Sequence, residues 1–188
     1  MTVPGTFDTS ARELIHAGLQ NLDEARSLFR QLSASGFDAA RCGLLLDALQ
    51  HVCDPDVALR NLVDIVNAQV SQGRALDDIM PDDTAFRQLV AVLGVSDAMG
   101  KLMRFRPDLV QAAATDHCNS HLYNHDQRRA HVLESVGADP NDRMSPTATM
   151  DLANAATALR RTYRNQLAAI IAQDTMSDDP IDLQQRIS

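Results

Sequence analysis

The stretch at residues 54–73, DPDVALRNLVDIVNAQVSQG, carries the signals of an amphipathic helix with two defined ends. Asp54 suits the N-cap position and Pro55 the first helical turn, because a carboxylate can accept an orphan backbone N–H and proline has none to satisfy. Apolar residues then recur three and four positions apart on one face, at Leu59, Leu62, Val63, Val66 and Val70. Gly73 follows, and glycine ends many helices in a left-handed conformation. We therefore expect one helix here, with this apolar stripe buried.

The same spacing recurs along most of the chain, and no stretch shows the strict alternation of a half-buried strand. Predicted helix starts lie at Asn21 with Glu24 as its capping-box partner, at Ala39, at Asp82 or Asp83, at Ser96 and at Pro107, with stops at Gly36 and Gly94. The predicted fold is therefore all-α, an irregular multi-helix bundle of short amphipathic helices. An irregular solenoid is the secondary option, although no fixed repeat period supports it.

One long helix is predicted near the C-terminal end. Ser145 and Pro146 can open it, and its apolar run is Leu152, Ala156, Leu159, Tyr163, Leu167 and Ile170. A helix from Pro146 to about Gln173 would be roughly 40 Å long and could brace several short helices at once. We expect this helix to be the central packing element. Residues 115–145 are rich in His, Asn, Asp and Pro, and they are interpreted as a polar linker or loop with a helical turn or two.

Composition limits the class of protein. The 188 residues are 45% hydrophobic and carry a formal net charge of −8. A negative protein is a poor partner for nucleic acid, because binding to the phosphate backbone relies on Lys and Arg. No apolar run approaches the ~20 residues that span a bilayer, and no signal peptide is visible. Cys42, Cys53 and Cys118 are scattered, which argues against a disulfide framework. We therefore expect a soluble, cytoplasmic protein with protein partners and no nucleic-acid or membrane partner.

The sharpest candidate for chemistry is the set His117, His121 and His125, whose spacing of four would align them on one helical face. Two histidines one turn apart can share a zinc ion. However, Asn119 and Ser120 have poor helix propensity, and no Glu follows the first histidine to act as a general base. We predict that this cluster holds no metal, with a zinc site as the alternative.

A second candidate is the Asp54-Pro55-Asp56 segment, which has the Asp-x-Asp arrangement that can hold Mg²⁺ against a triphosphate. No strand or Gly-Ser turn precedes it, and an amphipathic helix follows it directly. Helix capping is therefore the better interpretation of these carboxylates.

Two more segments invite functional interpretations. Residues 28–49 could form a helix-turn-helix, but the second helix offers Arg41 followed by apolar residues, so its face is expected to be buried rather than to contact DNA. Arg160, Arg161 and Arg164 form a basic patch that is either solvated, paired with carboxylates, or able to dock an acidic or nucleotide-bearing neighbour. No Gly-rich phosphate loop, Gly-x-Ser-x-Gly elbow or Cys-x-x-Cys pair is present. We assign no catalytic, cofactor-binding or metal-binding residue.

Four segments nevertheless resemble a known family, the amino-terminal helical region of bacterial glutamine synthetase adenylyltransferase/adenylyl-removing enzymes in its actinobacterial form. They are DPDVALRNL at 54–62, FRQLVAVLGVS at 86–96, LMRFRP at 102–107 and LRRTYRNQL at 159–167, the last followed by Ile170, Ile171 and Asp174. Order and spacing agree over most of residues 14–174, except in the His-rich stretch. Arg106 stands where the family pattern usually has His.

The resemblance implies a parent enzyme that uses ATP and Mg²⁺ to transfer AMP to a tyrosine of glutamine synthetase, removes it by phosphorolysis, and responds to a PII signalling protein in nitrogen metabolism. It also implies a division into a helical subdomain at 1–114, a linker at 115–145, a bracing helix at 146–175, and a segment at 176–188 that leads into a nucleotidyltransferase domain. The expected role of this chain is to support that domain and help position glutamine synthetase, without catalysis of its own. A free-standing helical protein-interaction scaffold is the alternative.

Overall fold

The computed structural model describes residues 9–80, 82–114 and 125–176, and in these ranges it confirms the all-α fold. The helices are α1 (Ala11–His16), α2 (Leu22–Ala34), α3 (Ala39–Leu49), α4 (Pro55–Ser71), α5 (Leu76–Ile79), α6 (Asp83–Val95), α7 (Asp97–Met103), α8 (Pro107–Ala114), α9 (His125–Ser135) and α10 (Leu152–Met176). No strand occurs among the described residues. None of the helices in these ranges is long and apolar enough to cross a membrane.

Side-chain caps begin most of the short helices. Six cap residues each accept the backbone N–H three positions later: Ser10, Asn21, Asp38, Asp54, Asp82 and Ser96. The predicted caps are thus confirmed, with Asp82 rather than Asp83 at the start of α6. The predicted left-handed turns after α2 and α4 are also confirmed, since Gly36 and Gly73 have φ values of 104° and 77°.

The capping box predicted at Asn21 is only half formed within its own helix. The backbone N–H of Asn21 donates to Asp56 at 3.3 Å instead of to Glu24, and the N–H of Gln20 donates to the other Asp56 oxygen at 3.0 Å. The Glu24 carboxylate instead accepts a hydrogen bond from Arg60 Nε at 3.1 Å. A carboxylate on α4 therefore completes the start of α2, which joins the two helices at this end.

The core is organised around α6, which packs against α3, α4, α7, α8 and α10. Its buried residues are Ala85, Phe86, Gln88, Leu89, Val90, Ala91, Val92, Leu93 and Gly94. A helix that is apolar on nearly all sides belongs in an interior, and α6 has that place. The expectation that the long helix would be the central element is therefore wrong. On α4 the predicted stripe is buried except for Val70, because Gln69 takes the inward position of the last turn.

Gly94 was predicted to end α6, but the helix continues to Val95. Its φ is not positive, and its lack of a side chain serves packing instead. A Cβ at this position would lie 2.8 Å from the Cβ of Val52. Gly94 therefore lets the segment after α3 lie directly against α6.

The buried face of α10 also differs from the prediction. We expected Leu159, Tyr163 and Leu167 to be buried against α4 and α6, the helices that carry Leu62, Val66 and Leu89. Leu159 and Tyr163 are instead 41% and 65% exposed, Leu152 is exposed as well, and Leu167 is partly buried against the core. The residues of α10 that are almost fully buried are small, namely Ala155, Thr162 and Ala168. They let α10 approach α6 and α8 closely. The exposed set Leu152, Leu159 and Tyr163 is called the α10 stripe below.

The helix also begins later than Pro146. The backbone N–H of Thr149 donates to the carbonyl of Val136 at 3.2 Å, so this segment folds back over the end of α9. Asp151 then accepts the N–H of Asn154 at 3.0 Å and starts α10. Within the predicted linker, His125–Ser135 forms α9. The division of the chain into subdomain, linker, bracing helix and trailing segment stays a prediction.

Gly94→Ala should destabilise the protein by about 1–3 kcal/mol, because the new methyl group would overlap Val52 in a packed core. The matched control is Gly43→Ala, since Gly43 also lies inside a helix but has no atom within 4 Å of an added Cβ. That control should stabilise by about 0.5–1 kcal/mol through helix propensity. Urea titrations of both variants test this, and equal shifts would contradict the proposed close approach.

Leu159→Ala should cost less than about 1 kcal/mol, because Leu159 is 41% exposed and its removal leaves no enclosed cavity. Leu89→Ala should cost about 2–5 kcal/mol, since Leu89 is fully buried in α6. Free energies of unfolding measured side by side would refute this arrangement if Leu159 proved the costlier position.

Candidate functional site

An open concave surface lies where α8, α10 and the turn after α4 meet. It encloses about 790 Å³ and is lined by Arg74, Arg106, Pro107, Asp108, Gln111, Thr157, Arg160, Arg161 and Arg164. Five of the sixteen arginines of an acidic protein thus line one surface, which we call the arginine cleft. Asp108 is the single carboxylate among the described lining residues, which together carry a formal net charge of +4.

Two helices and one turn bring these arginines together. Arg160, Arg161 and Arg164 lie within two turns of α10. Arg106 directly precedes Pro107, the first residue of α8. Arg74 follows Gly73, whose left-handed conformation reverses the chain at the end of α4, and its N–H donates back to the Gln69 carbonyl at 3.2 Å. The packing of α8 and α10 on α6 holds the two helices side by side.

Asp108 forms the fixed part of the cleft. Arg106 donates to it twice, from Nε to Oδ1 at 2.9 Å and from Nη2 to Oδ2 at 2.8 Å. Arg161 donates from Nε to Oδ2 at 3.1 Å. The hydrogen bonds from Arg106, with help from the charges of Arg106 and Arg161, hold the pKa of the Asp108 carboxyl below its ordinary value. The same fork raises the pKa of Arg106. Asp108 thereby ties the start of α8 to α10.

The other three arginines differ from this pair. None of the ion pairs found among the described residues involves Arg74, Arg160 or Arg164. Arg160 and Arg164 lie one helical turn apart, where like charges repel by a few tenths of a kcal/mol. The cleft therefore presents unneutralised guanidinium groups beside a pair already anchored by a carboxylate.

The basic patch predicted on α10 is thus one wall of the arginine cleft. Arg161 is paired with a carboxylate, as one interpretation had it, while Arg160 and Arg164 have no ion-pair partner in the part of the chain that the structure describes. Arg74 and Arg106 were not predicted as members. Arg106 carried a weak signal, since it departs from the family pattern, and Arg74 carried none.

The Asp-x-Asp segment caps helices. Asp54 accepts the N–H of Val57 at 3.0 Å, and Asp56 accepts the N–H groups of Gln20 and Asn21. Both carboxylates therefore serve backbone donors, which confirms capping for Asp54 and gives Asp56 a role that the sequence did not predict. The absence of Mg²⁺ at these two residues stays a prediction.

The structure describes only one of the three histidines in the predicted cluster. His117 and His121 lie outside the described residues, and so does Cys118. His125 is exposed at the start of α9. No group of three or more His, Cys, Asp or Glu side chains is placed to hold a metal within the described ranges. Of the two described cysteines, Cys42 is buried and Cys53 exposed, and both are free. The absence of a metal at the histidines stays a prediction.

The structure also argues against the helix-turn-helix interpretation of residues 28–49. Cys42, Leu45, Leu46 and Leu49 of α3 are buried in the core. Arg41 forms an ion pair with Asp77. This helix therefore faces its own protein.

Comparison with known proteins places this chain beside one kind of enzyme. It is 61% identical over 182 residues, 97% of its length, to the bifunctional glutamine synthetase adenylyltransferase/adenylyl-removing enzyme of Bifidobacterium longum strain DJO10A. Identity to the protein of the same name from Bifidobacterium longum subsp. infantis is 59% over 97% of this chain, and to that from Corynebacterium efficiens 32% over 76%. The chain spans about 17% of the length of the Bifidobacterium relatives and 16% of the Corynebacterium one. No family model matches the chain. No solved structure matches it either.

Asp108→Asn should destabilise the protein by about 1 kcal/mol near pH 7, because two guanidinium groups would lose their shared carboxylate. The lowered pKa means that this stabilisation is present above the ordinary Asp pKa of about 3.9 and disappears as the pH falls through the lowered value. The difference between wild type and variant in urea titrations should therefore shrink as the pH falls below the ordinary Asp pKa. Asp83→Asn, at an exposed carboxylate, is the control, and an equal effect there would contradict the role of the fork.

Proposed function

The chain corresponds in sequence to the amino-terminal part of bifunctional glutamine synthetase adenylyltransferase/adenylyl-removing enzymes, and from this relationship we propose that it is a non-catalytic helical module of such an enzyme. In that setting it supports the nucleotidyltransferase domain that removes AMP and helps to position glutamine synthetase. The proposal includes a cytoplasmic location and a response of the whole enzyme to a PII protein.

The observation that carries the proposal is the 61% identity along 97% of this chain. Identity at that level over a whole helical unit supports the same fold and the same place in a longer protein. It favours this role over a free-standing scaffold, because the relatives are several times longer than this chain.

The chemistry of adenylyl transfer supports a non-catalytic role for this part. In AMP removal, a phosphate oxygen attacks the α-phosphorus, the bond to the tyrosine oxygen breaks, and that oxygen takes up a proton as ADP leaves. Such in-line displacement relies on metal ions that offset the phosphate charges. Asp54 and Asp56 are committed to backbone N–H groups, so the ATP and Mg²⁺ of the parent enzyme are proposed to bind elsewhere in the longer protein.

The α10 stripe supports a docking role for the long helix. Leu152, Leu159 and Tyr163 are exposed along one side of the longest described helix, although apolar side chains gain free energy when they leave water. The relatives have several times the length of this chain, which gives them further domains that could cover such a surface. We propose the nucleotidyltransferase domain of the longer protein as the occupant.

The purified chain, incubated with adenylylated glutamine synthetase, phosphate and Mg²⁺, should release no ADP, whereas the Bifidobacterium longum enzyme should release it. An excess of the chain should slow the release catalysed by that enzyme, because both would occupy the same surface of glutamine synthetase. Serum albumin at the same concentration is the control.

Two outcomes would contradict the proposal at separate points. ADP release by the chain alone that disappears in the Asp54→Asn/Asp56→Asn variant would overturn the non-catalytic role. Unchanged kinetics of the longer enzyme at every concentration of the chain would overturn the docking of glutamine synthetase. A coupled assay that measures ADP distinguishes these two outcomes.

A further inference from the structure

We infer that the arginine cleft binds a small ligand carrying two or more linked phosphate groups, either free pyrophosphate or the phosphate chain of a nucleotide. The inference goes beyond the proposed function and does not depend on it. It rests on the charge, the shape and the lining of the cleft.

Charge is the first argument. The protein has a net charge of −8, yet this cleft carries +4. Elsewhere, arginines on neighbouring elements pair with carboxylates, as in Arg60–Glu24, Arg87–Asp47 and Arg104–Asp64. Among the described residues of the cleft, one carboxylate lies beside five guanidinium groups and pairs with two of them, Arg106 and Arg161. A polyanion would neutralise more of the excess charge than a single phosphate group, which carries about −1.5 to −2 and neutralises at most half of it.

The chemistry of the donors is the second argument. A guanidinium presents five N–H donors in a planar fork that matches the oxygens of a phosphate. Arg160 and Arg164 lie on α10, while Arg74 approaches from the turn after α4. Unneutralised groups thus come from two separate elements, which suits a ligand with several phosphate oxygens at different positions. Asp108 anchors Arg106 and Arg161, which reduces the conformational freedom that these two side chains would lose on binding.

The size and lining of the cleft identify the part of the ligand that is recognised. A volume of about 790 Å³ falls in the range typical of small-molecule sites. No aromatic side chain lines it among the residues that the structure describes, so this part of the chain offers no ring on which a nucleobase could stack. The uncharged polar side chains in the lining are Gln111 and Thr157, and the Thr157 hydroxyl donates to the Ala153 carbonyl at 2.9 Å, so the arginines are the donors available to phosphate oxygens. Phosphate groups, and not a base, are therefore the recognised part.

Calorimetric titration of the 188-residue chain at low salt, without Mg²⁺, tests the inference with four probes: sodium pyrophosphate, ATP, orthophosphate and adenosine. Pyrophosphate and ATP should bind, orthophosphate more weakly, and adenosine not at all. Similar affinities for pyrophosphate and ATP would identify the phosphate chain as sufficient. Tighter binding of ATP would also support the site and would point to a nucleotide as its source. Failure of both to bind would overturn the inference.

Variants locate the binding. Arg160→Gln/Arg164→Gln should weaken pyrophosphate binding about tenfold or more, since two charge-assisted contacts are lost. The matched control Arg12→Gln/Arg143→Gln removes the same charge from exposed arginines outside the cleft and should change the affinity by less than about twofold. Equal losses in the two double variants would show a general charge effect and overturn the site. Arg74→Gln, on another element, should also weaken binding, which keeps the test valid if the α10 variant unfolds.

An acidic protein segment is the competing occupant. A Glu-rich peptide that binds the chain and is not displaced by pyrophosphate would overturn the inference in favour of a protein ligand. Displacement of that peptide by pyrophosphate, with loss of both signals in the α10 double variant, would support the phosphate site.

Discussion

Burial of α6 is the constraint on which the rest of the structure depends. Nearly every residue from Ala85 to Gly94 is inside, so α6 is stable only if other helices cover it on all sides. Helices α3, α4 and α7 cover part of it, and α8 and α10 cover another part. Gly94 permits the segment at Val52 to reach the helix, and small residues on α10 permit a similar approach. The position of α6 thereby sets the distance between the helices that form the arginine cleft.

The arginine cleft differs from the rest of the surface in how its charged side chains are paired. Most ion pairs here join neighbouring elements, and exposed pairs of this kind contribute only a few tenths of a kcal/mol to stability. The Asp108 fork resembles them but is less exposed and better aligned, so it fixes the start of α8 on α10. Arg74, Arg160 and Arg164 lie beside this fork. They add electrostatic repulsion and form no contact that the fold requires. This arrangement is tolerated because water and salt screen the charges.

Secondary structure could be predicted well because its causes are local. The caps at Asn21, Asp54 and Ser96 lie within three residues of the donors that they satisfy. The errors arose where a distant residue decided the outcome. Gly94 has the sequence signature of a helix stop, but its role depends on Val52. Helix α10 begins later than predicted because the backbone N–H of Thr149 donates a hydrogen bond to a carbonyl at the end of α9. No local sequence pattern could show this contact.

The sequence by itself determined that the chain is all-α and where most short helices begin, and its resemblance to one enzyme family predicted the setting that we propose for it. It also showed that Arg160, Arg161 and Arg164 share a surface, because helical periodicity is a local property. Only the tertiary structure decided which face of α10 is buried, since the predicted apolar run includes both Leu159, which is exposed, and Leu167, which packs against the core, and the fit against α6 and α8 decides between them. It alone brought Arg74, Arg106 and Asp108 to the same cleft, because contacts between residues far apart in sequence depend on how whole helices pack.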